Sequence, residues 1–211
     1  MTLISADENK HVSFLRAALG SQAVPALVEG TAPGNLDFSG SKGGTRAALF
    51  PTVFSSFPTF LAVGQSLEDT GVRAYKGAAP ALLANKVLLE AALNIHSVEA
   101  RHASRLRSLR RGTTGPGPTV PITPTPKSWV SGDEGGGAAP PTTAPIYGPG
   151  TPAASFPGEA NVTQGGMSLT GIPALAALNL PAAAFSEAFD EPLDTATVAN
   201  IALTFIVGNT F

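Results

Sequence analysis

The sequence predicts an all-α protein in which a helical bundle is followed by a long irregular extension. Three segments within residues 1–111 repeat apolar residues with the period of a helix that buries one face. Residues 112–166 contain 11 of the 19 Pro and 12 of the 23 Gly, a composition that interrupts regular structure. Residues 167–211 are apolar again, in short runs separated by Pro. We therefore divide the chain into a bundle core (1–111), an irregular segment (112–166) and a C-terminal extension whose short helices pack on the bundle (167–211).

Composition and charge exclude several classes of protein. The 211 residues include 13 Lys and Arg against 15 Asp and Glu, so the net charge is -2 and we expect no nucleic-acid partner. The chain has no Cys, which excludes a disulfide scaffold, a thiolate zinc site and a Cys nucleophile. No run of 18 apolar residues is present, so we expect no membrane-spanning helix. The first residues do not resemble a signal peptide, and the compartment stays open.

The first helix is predicted to end near Leu19, because Gly20 follows it as a typical stop. Ser5 or Asp7 is expected to cap its beginning. One face of this helix combines apolar residues with a Glu and a His at helical spacing: Ile4, Glu8, His11, Leu15 and Ala18.

The second helix is predicted from about Pro58 to Gly77, and the third from about Pro80 to Arg110. The faces expected to be buried are Phe60, Gly64, Leu67 or Glu68, Gly71 and Tyr75 in the second helix, and Leu88, Ala92, Ile95, Glu99, His102, Leu106 and Leu109 in the third. The link between these helices is short, so they should be antiparallel neighbours. The longer connection before the second helix is typical of bundles with one crossover.

Acidic and imidazole side chains lie on the apolar faces of these helices. Glu8 and His11 form a Glu-x-x-His pair, as do Glu99 and His102, and a spacing of three places both side chains on one face. Glu68 has a similar position in the second helix. A carboxylate on a buried face is costly unless something compensates its charge. Iron or manganese would do so, and these five residues are the predicted metal ligands.

Three further features have alternative interpretations. His96 lies beside the apolar face, and we expect it to be exposed or at the helix flank. For Tyr75, packing in the core is favoured over a hydrogen bond to a carboxylate ligand. Several Arg near the end of the third helix are best explained as partners of the helix dipole, and anion or nucleic-acid binding is the alternative. These are Arg101, Arg105, Arg107, Arg110 and Arg111.

The stretches 7–20, 67–75 and 98–103 resemble the ferritin-like domain proteins that include the desiccation-related proteins of plants and their bacterial relatives. Residues 188–193 resemble a segment near the end of many bacterial members. The resemblance implies a ferritin-like bundle, a stress-associated role, and a dinuclear iron or manganese site. It assigns the metal-ligand positions to Glu8, His11, Glu68, Glu99 and His102.

The family has a helix before the one that contains Glu8, and that helix supplies a fourth carboxylate. Only a few residues precede Glu8 here, so we expect three of the four core helices and a partial or vestigial dinuclear site. A second copy of the chain could cover the face left open. Glu187 and Glu191 are weak candidates for the absent carboxylate. The alternative function is a structural or interaction protein, without enzymatic activity, that keeps the bundle without the metal.

Overall fold

A computed structural model describes residues 2–112, 127–132 and 142–208 of the chain. Parts of the predicted irregular segment, 113–126 and 133–141, lie outside these ranges. The α-helices are α1 (Thr2–Leu19), α2 (Phe57–Ala78), α3 (Lys86–Gly112), α4 (Ala144–Tyr147), α5 (Pro173–Ala176), α6 (Ala182–Ser186) and α7 (Thr195–Leu203). Short 3-10 turns span Gly20–Gln22, Ala79–Leu82 and Leu169–Gly171. Strands β1 (Thr163–Gln164) and β2 (Met167–Ser168) form an antiparallel hairpin. No described helix is long and apolar enough to cross a membrane.

Helices α2 and α3 are antiparallel neighbours, as predicted. Gly64 on α2 faces Leu106 on α3, and Gly71 faces Glu99, so sequence order along one helix reverses along the other. A Cβ atom at either glycine would lie 3.4 Å from the facing side chain, which is ordinary van der Waals contact. These two contacts fix the antiparallel register between the helices, and neither glycine is required by the space available.

The predicted beginnings of α1 and α3 are wrong. Helix α1 is already formed at Thr2, so Ser5 and Asp7 lie inside it and cap nothing. Helix α3 begins at Lys86, and Pro80 belongs to the 3-10 turn before it. The Asn85 side chain accepts a hydrogen bond from the Leu88 backbone N–H at 3.1 Å, which is the geometry of an N-cap. This cap fixes the beginning of α3.

Helix α1 turns its predicted face inward but buries none of its residues completely. Ile4, Asp7, Glu8, His11 and Leu15 are partly buried, and every other described residue of the helix is exposed. The predicted face thus ends one turn early, because its last member, the alanine at position 18, is exposed. Helix α1 is consequently held with less apolar burial than α2 or α3.

The C-terminal residues pack on α2 and on the connection that precedes it. Phe50 stacks on Phe205 with ring centroids 5.8 Å apart, in a core cluster that also contains Val53, Ala62 and Val63. A second cluster joins α4 to α7 and consists of Ile146, Tyr147, Leu193 and Ile201. The Asp194 side chain caps α7 by accepting a hydrogen bond from the backbone N–H of Thr197 at 2.9 Å.

One buried side chain of α2, Arg73, connects the bundle to the C-terminal half. Its guanidinium pairs with Glu159 at 2.9 Å, and both side chains are almost completely shielded from solvent. It also donates hydrogen bonds to five backbone carbonyls, those of Ile146, Gly148, Pro157, Glu191 and Pro192. Hydrogen bonds to a charged group are stronger than neutral ones, so this single residue ties several loops to α2.

Candidate metal centre

The three long helices bring the five predicted ligands together. Glu8 and His11 come from α1, Glu68 from α2, and Glu99 and His102 from α3. Ligand atoms of Glu8, Glu68, Glu99 and His102 all lie within 4.8 Å of one another. Nδ1 of His11 lies 3.3 Å from Oε1 of Glu99 and 3.4 Å from Oε2 of Glu8. We refer to these five residues as the carboxylate–histidine cluster.

The imidazole of His102 lies between carboxylates that contact both of its ring nitrogens. Nδ1 of His102 lies 3.0 Å from Oε1 of Glu8 and 3.4 Å from Oε2 of Glu68. Its other ring nitrogen, Nε2, lies 3.5 Å from Oδ2 of Asp7. A carboxylate beside the second nitrogen of a ligating His holds the ring in orientation. Asp7, predicted above as a cap, is therefore part of the site, and its position directly before Glu8 was the available signal.

Four atoms of the cluster are shielded from solvent and form no hydrogen bond of acceptable geometry within the described residues, although other ligand atoms lie 3.0–3.4 Å from them. They are Oε1 of Glu8, Nδ1 of His11, Oε2 of Glu68 and Nδ1 of His102. A buried polar atom without a partner costs free energy, and such atoms are few in folded proteins. Carboxylate oxygens and imidazole nitrogens suit divalent iron and manganese. These residues therefore fit the metal that the sequence predicts.

Crowded carboxylates dominate the electrostatics of the cluster. Burial raises the pKa of Glu68 to about 10, and the neighbouring carboxyls of Glu99 and Glu8 contribute in the same direction. Burial likewise raises the pKa of Glu99, helped by Glu8 and opposed by the two imidazoles. Burial together with the charges of Glu99 and Glu8 raises the pKa of Tyr75 to about 12. A cation bound among these groups would offset the burial of their negative charge and the repulsion between the carboxylates that adds to these shifts.

The structure places Tyr75 within the electrostatic influence of the cluster, although no hydrogen bond joins it to a ligand within the described residues. His96 is partly buried at the side of α3, and its Nδ1 lies 2.9 Å from the backbone carbonyl of Val72. It faces α2 rather than the cluster, as its position beside the apolar face predicted.

The two carboxylates considered as additional ligands lie elsewhere. Glu187 accepts hydrogen bonds from Lys127, Trp129 and Ser131. Glu191 accepts a hydrogen bond from Asn161 at 3.0 Å and another from Gln164. Both are therefore used in contacts within the C-terminal half.

Two of the arginines near the end of α3 have partners that the sequence prediction missed. Arg107 and Arg110 are buried. Arg107 forms an ion pair with Asp69, whose Oδ2 also accepts a hydrogen bond from the Tyr147 hydroxyl at 2.6 Å. Arg110 donates a hydrogen bond to Gln65. Their guanidiniums face polar groups of α2 and α4, and the assignment to the helix dipole did not predict these contacts. The adjacent acidic pair at positions 68 and 69 was the signal for this network.

In one class of helical bundles, facing helices place carboxylates and imidazoles around one interior point, where a metal site is built. The arrangement of α1, α2 and α3 is of this kind. A protein-family model for the ferritin-like domain matches residues 1–111, and the chain belongs to this family. Searches of curated proteins and of solved structures found no match.

Proposed function

We propose that the chain binds divalent iron or manganese through Glu8, His11, Glu68, Glu99 and His102. One observation carries the proposal: side chains from three helices converge on one interior point, where four of their polar atoms lack hydrogen-bond partners within the described residues. Membership of the ferritin-like family supports it, since such domains often bind metal. The resemblance to desiccation-related proteins extends the proposal to a stress-associated role.

Each of the five residues would take the ligand role that its side-chain chemistry allows. The three carboxylates would act as bridging and terminal ligands, and the two imidazoles as neutral terminal ligands. Asp7 would keep His102 in orientation through its Nε2 atom. When bound, iron or manganese would supply a redox-active centre that reacts with dioxygen or peroxide.

The proposed site is partial. The bundle motif uses a Glu from each of two helices and a Glu-x-x-His from each of two others. The helices described here supply both Glu-x-x-His pairs and one lone Glu, which is one carboxylate fewer. We therefore expect a first metal ion to bind more tightly than a second, because the first neutralises most of the available negative charge.

The test compares metal binding by the full chain and by two variants of α3. After treatment with a chelator, the protein is titrated with Mn²⁺ by calorimetry, and bound metal is measured by elemental analysis. Glu99→Gln keeps the side-chain shape and removes one ligand charge, so we expect affinity to fall at least about tenfold. Glu90→Gln is the matched control, because Glu90 lies on the same helix and is exposed.

Stoichiometric binding that Glu99→Gln weakens and Glu90→Gln leaves unchanged supports the proposal. Equal affinity in the wild type and Glu99→Gln contradicts the assigned site. A wild-type chain that is folded by circular dichroism and binds no Mn²⁺ or Fe²⁺ favours the alternative, a structural or interaction protein that keeps the bundle without the metal.

A further inference from the structure

A groove of about 380 Å³ separates α1 from α3 on the outer side of the carboxylate–histidine cluster. His11 and His102 form part of its wall, so the groove lies directly beside two of the proposed ligands. Three cationic residues also line it: Lys10 from α1, and Arg101 and Arg105 from α3. The remaining lining consists of Leu3, Ile4, Val98 and the carboxylate of Asp7.

The two arginines of the groove lack a counter-charge in the described part of the chain. Lys10 pairs with Asp7 at 3.1 Å. Arg101 and Arg105, by contrast, form no hydrogen bond or ion pair with any described residue. They are four residues apart on one exposed side of α3, a spacing at which like charges destabilise a helix. The chain therefore holds two guanidiniums together without an internal partner for either.

The helix dipole does not account for this pair. Its favourable effect on cations is confined to the last turn of a helix, and α3 continues to Gly112. Arg105 lies about two turns before that end and Arg101 about three turns before it. Their position is defined instead by the groove, which both line together with the two imidazoles of the cluster.

We propose that this groove binds a small inorganic oxyanion of the phosphate type between Arg101 and Arg105, beside His11 and His102. Planar guanidiniums donate paired hydrogen bonds to such oxyanions, and two of them on adjacent turns can contact one anion from the same side. This inference rests on the proposed function. The carboxylates of Glu8, Glu68 and Glu99 lie behind the groove and Asp7 lines it, so they weaken the binding of an anion, and a bound cation that offsets their charge strengthens it.

The binding of metal and the binding of the anion should be positively coupled. Metal in the cluster and anion in the groove should each strengthen the binding of the other, because binding free energies are reciprocally linked. The oxyanion would thereby become part of the metal site from the side of the groove, where Arg101 and Arg105 form no ion pair with a described carboxylate.

The probe is inorganic phosphate added to the full chain, first without metal and then after loading with Mn²⁺ and removal of unbound ion. Calorimetry gives the affinity, and ³¹P NMR line broadening reports whether phosphate lies near the paramagnetic Mn²⁺. We expect broadening in the loaded wild type and a loss of affinity of about tenfold or more in Arg101→Gln/Arg105→Gln. Arg111→Gln is the matched control, because Arg111 is an exposed cation of the same helix and does not line the groove. Mn²⁺ stoichiometry is measured for every variant.

Affinity that is equal in the wild type and the double variant overturns the proposal, as does phosphate binding without any broadening by bound Mn²⁺. Failure of the proposed function is seen separately, as a lack of Mn²⁺ uptake before phosphate is added. In that case the metal-free titration still decides about the groove: binding that depends on the two arginines supports an oxyanion site, and absence of binding overturns it.

Discussion

Substitution of Glu68 by Gln should stabilise the metal-free protein near neutral pH. Burial and the neighbouring carboxyls raise the pKa of Glu68 from the ordinary 4.5 to about 10 in the folded chain. Between these values the folded state keeps a proton that the unfolded state releases. The free energy of unfolding therefore falls as pH rises through this window. Glutamine has nearly the same shape, can donate a hydrogen bond and does not titrate, so it removes this dependence.

The size of the effect follows from the shift. Each pH unit inside the window lowers the free energy of unfolding by about 1.4 kcal/mol. Between pH 4.5 and pH 7 Glu68 therefore lowers the free energy of unfolding by about 3 kcal/mol in total. At pH 4 the wild type and Glu68→Gln should have similar stability, and by pH 7 the metal-free variant should be the more stable by up to this amount.

The assay is urea unfolding in the presence of a chelator at several pH values between 4 and 8, for the wild type, Glu68→Gln and the exposed control Glu90→Gln. Burial also raises the pKa of Glu159 to about 8, and this contribution is common to all three chains. The difference between variants therefore reports Glu68 together with its effect on the neighbouring carboxyl of Glu99. Addition of Mn²⁺ should then stabilise the wild type more than Glu68→Gln, which lacks one of the proposed ligands. A metal-free Glu68→Gln chain that is less stable than the wild type at pH 7, with the same pH dependence, would refute this reasoning.

Three other predictions concern the surroundings of the site. Mn²⁺ should slow amide hydrogen exchange in α1 more than in α2, because α1 has no fully buried residue; equal protection of both helices would contradict this. Tyr147→Phe should lower the free energy of unfolding by about 1–2 kcal/mol, because Asp69 loses a buried hydrogen bond; unchanged urea unfolding would count against it. Gly77→Ala should lower it by more than about 2 kcal/mol in the same assay, since a Cβ there would lie 1.9 Å from the Leu193 carbonyl oxygen. Gly64→Ala, whose Cβ meets only an ordinary contact, is the control for Gly77, and equal losses would refute the steric explanation.

The helices were predictable because their apolar periodicity is a local property of the sequence. The residues at which the helices begin were harder to predict, because more than one residue in a segment can favour a helix start. Pro80 is favoured in the first turn of an α-helix and also fits a 3-10 turn, and the cap at Asn85 decides where α3 begins. The path of the C-terminal half could not be predicted in the same way. Arg73 binds that half largely through backbone carbonyls, which every residue type possesses.

The candidate site was predictable to the extent that it depends on spacing within a helix. Glu8 with His11 and Glu99 with His102 share a face by local geometry alone. Their convergence with Glu68 depends on how three helices pack, and it was indicated by the motif of metal-binding bundles and by the resemblance to a known family, not by local spacing. The contact of Asp7 with His102 depends on the register between α1 and α3, which no local pattern contains.

A comparison of Glu68 with Asp69 supports the proposal that a metal is the counter-charge of the cluster. They are consecutive on α2, both are buried, and successive helical residues point about 100° apart. Asp69 faces Arg107, and this internal guanidinium neutralises it. Glu68 faces two other carboxylates and the imidazole of His102, with no Lys or Arg within ion-pair distance among the described residues. The described interior thus supplies Asp69 with a permanent cation and supplies none to Glu68. A buried carboxylate of the second kind either holds a proton or requires a cation from solution, and the converging imidazoles favour the cation.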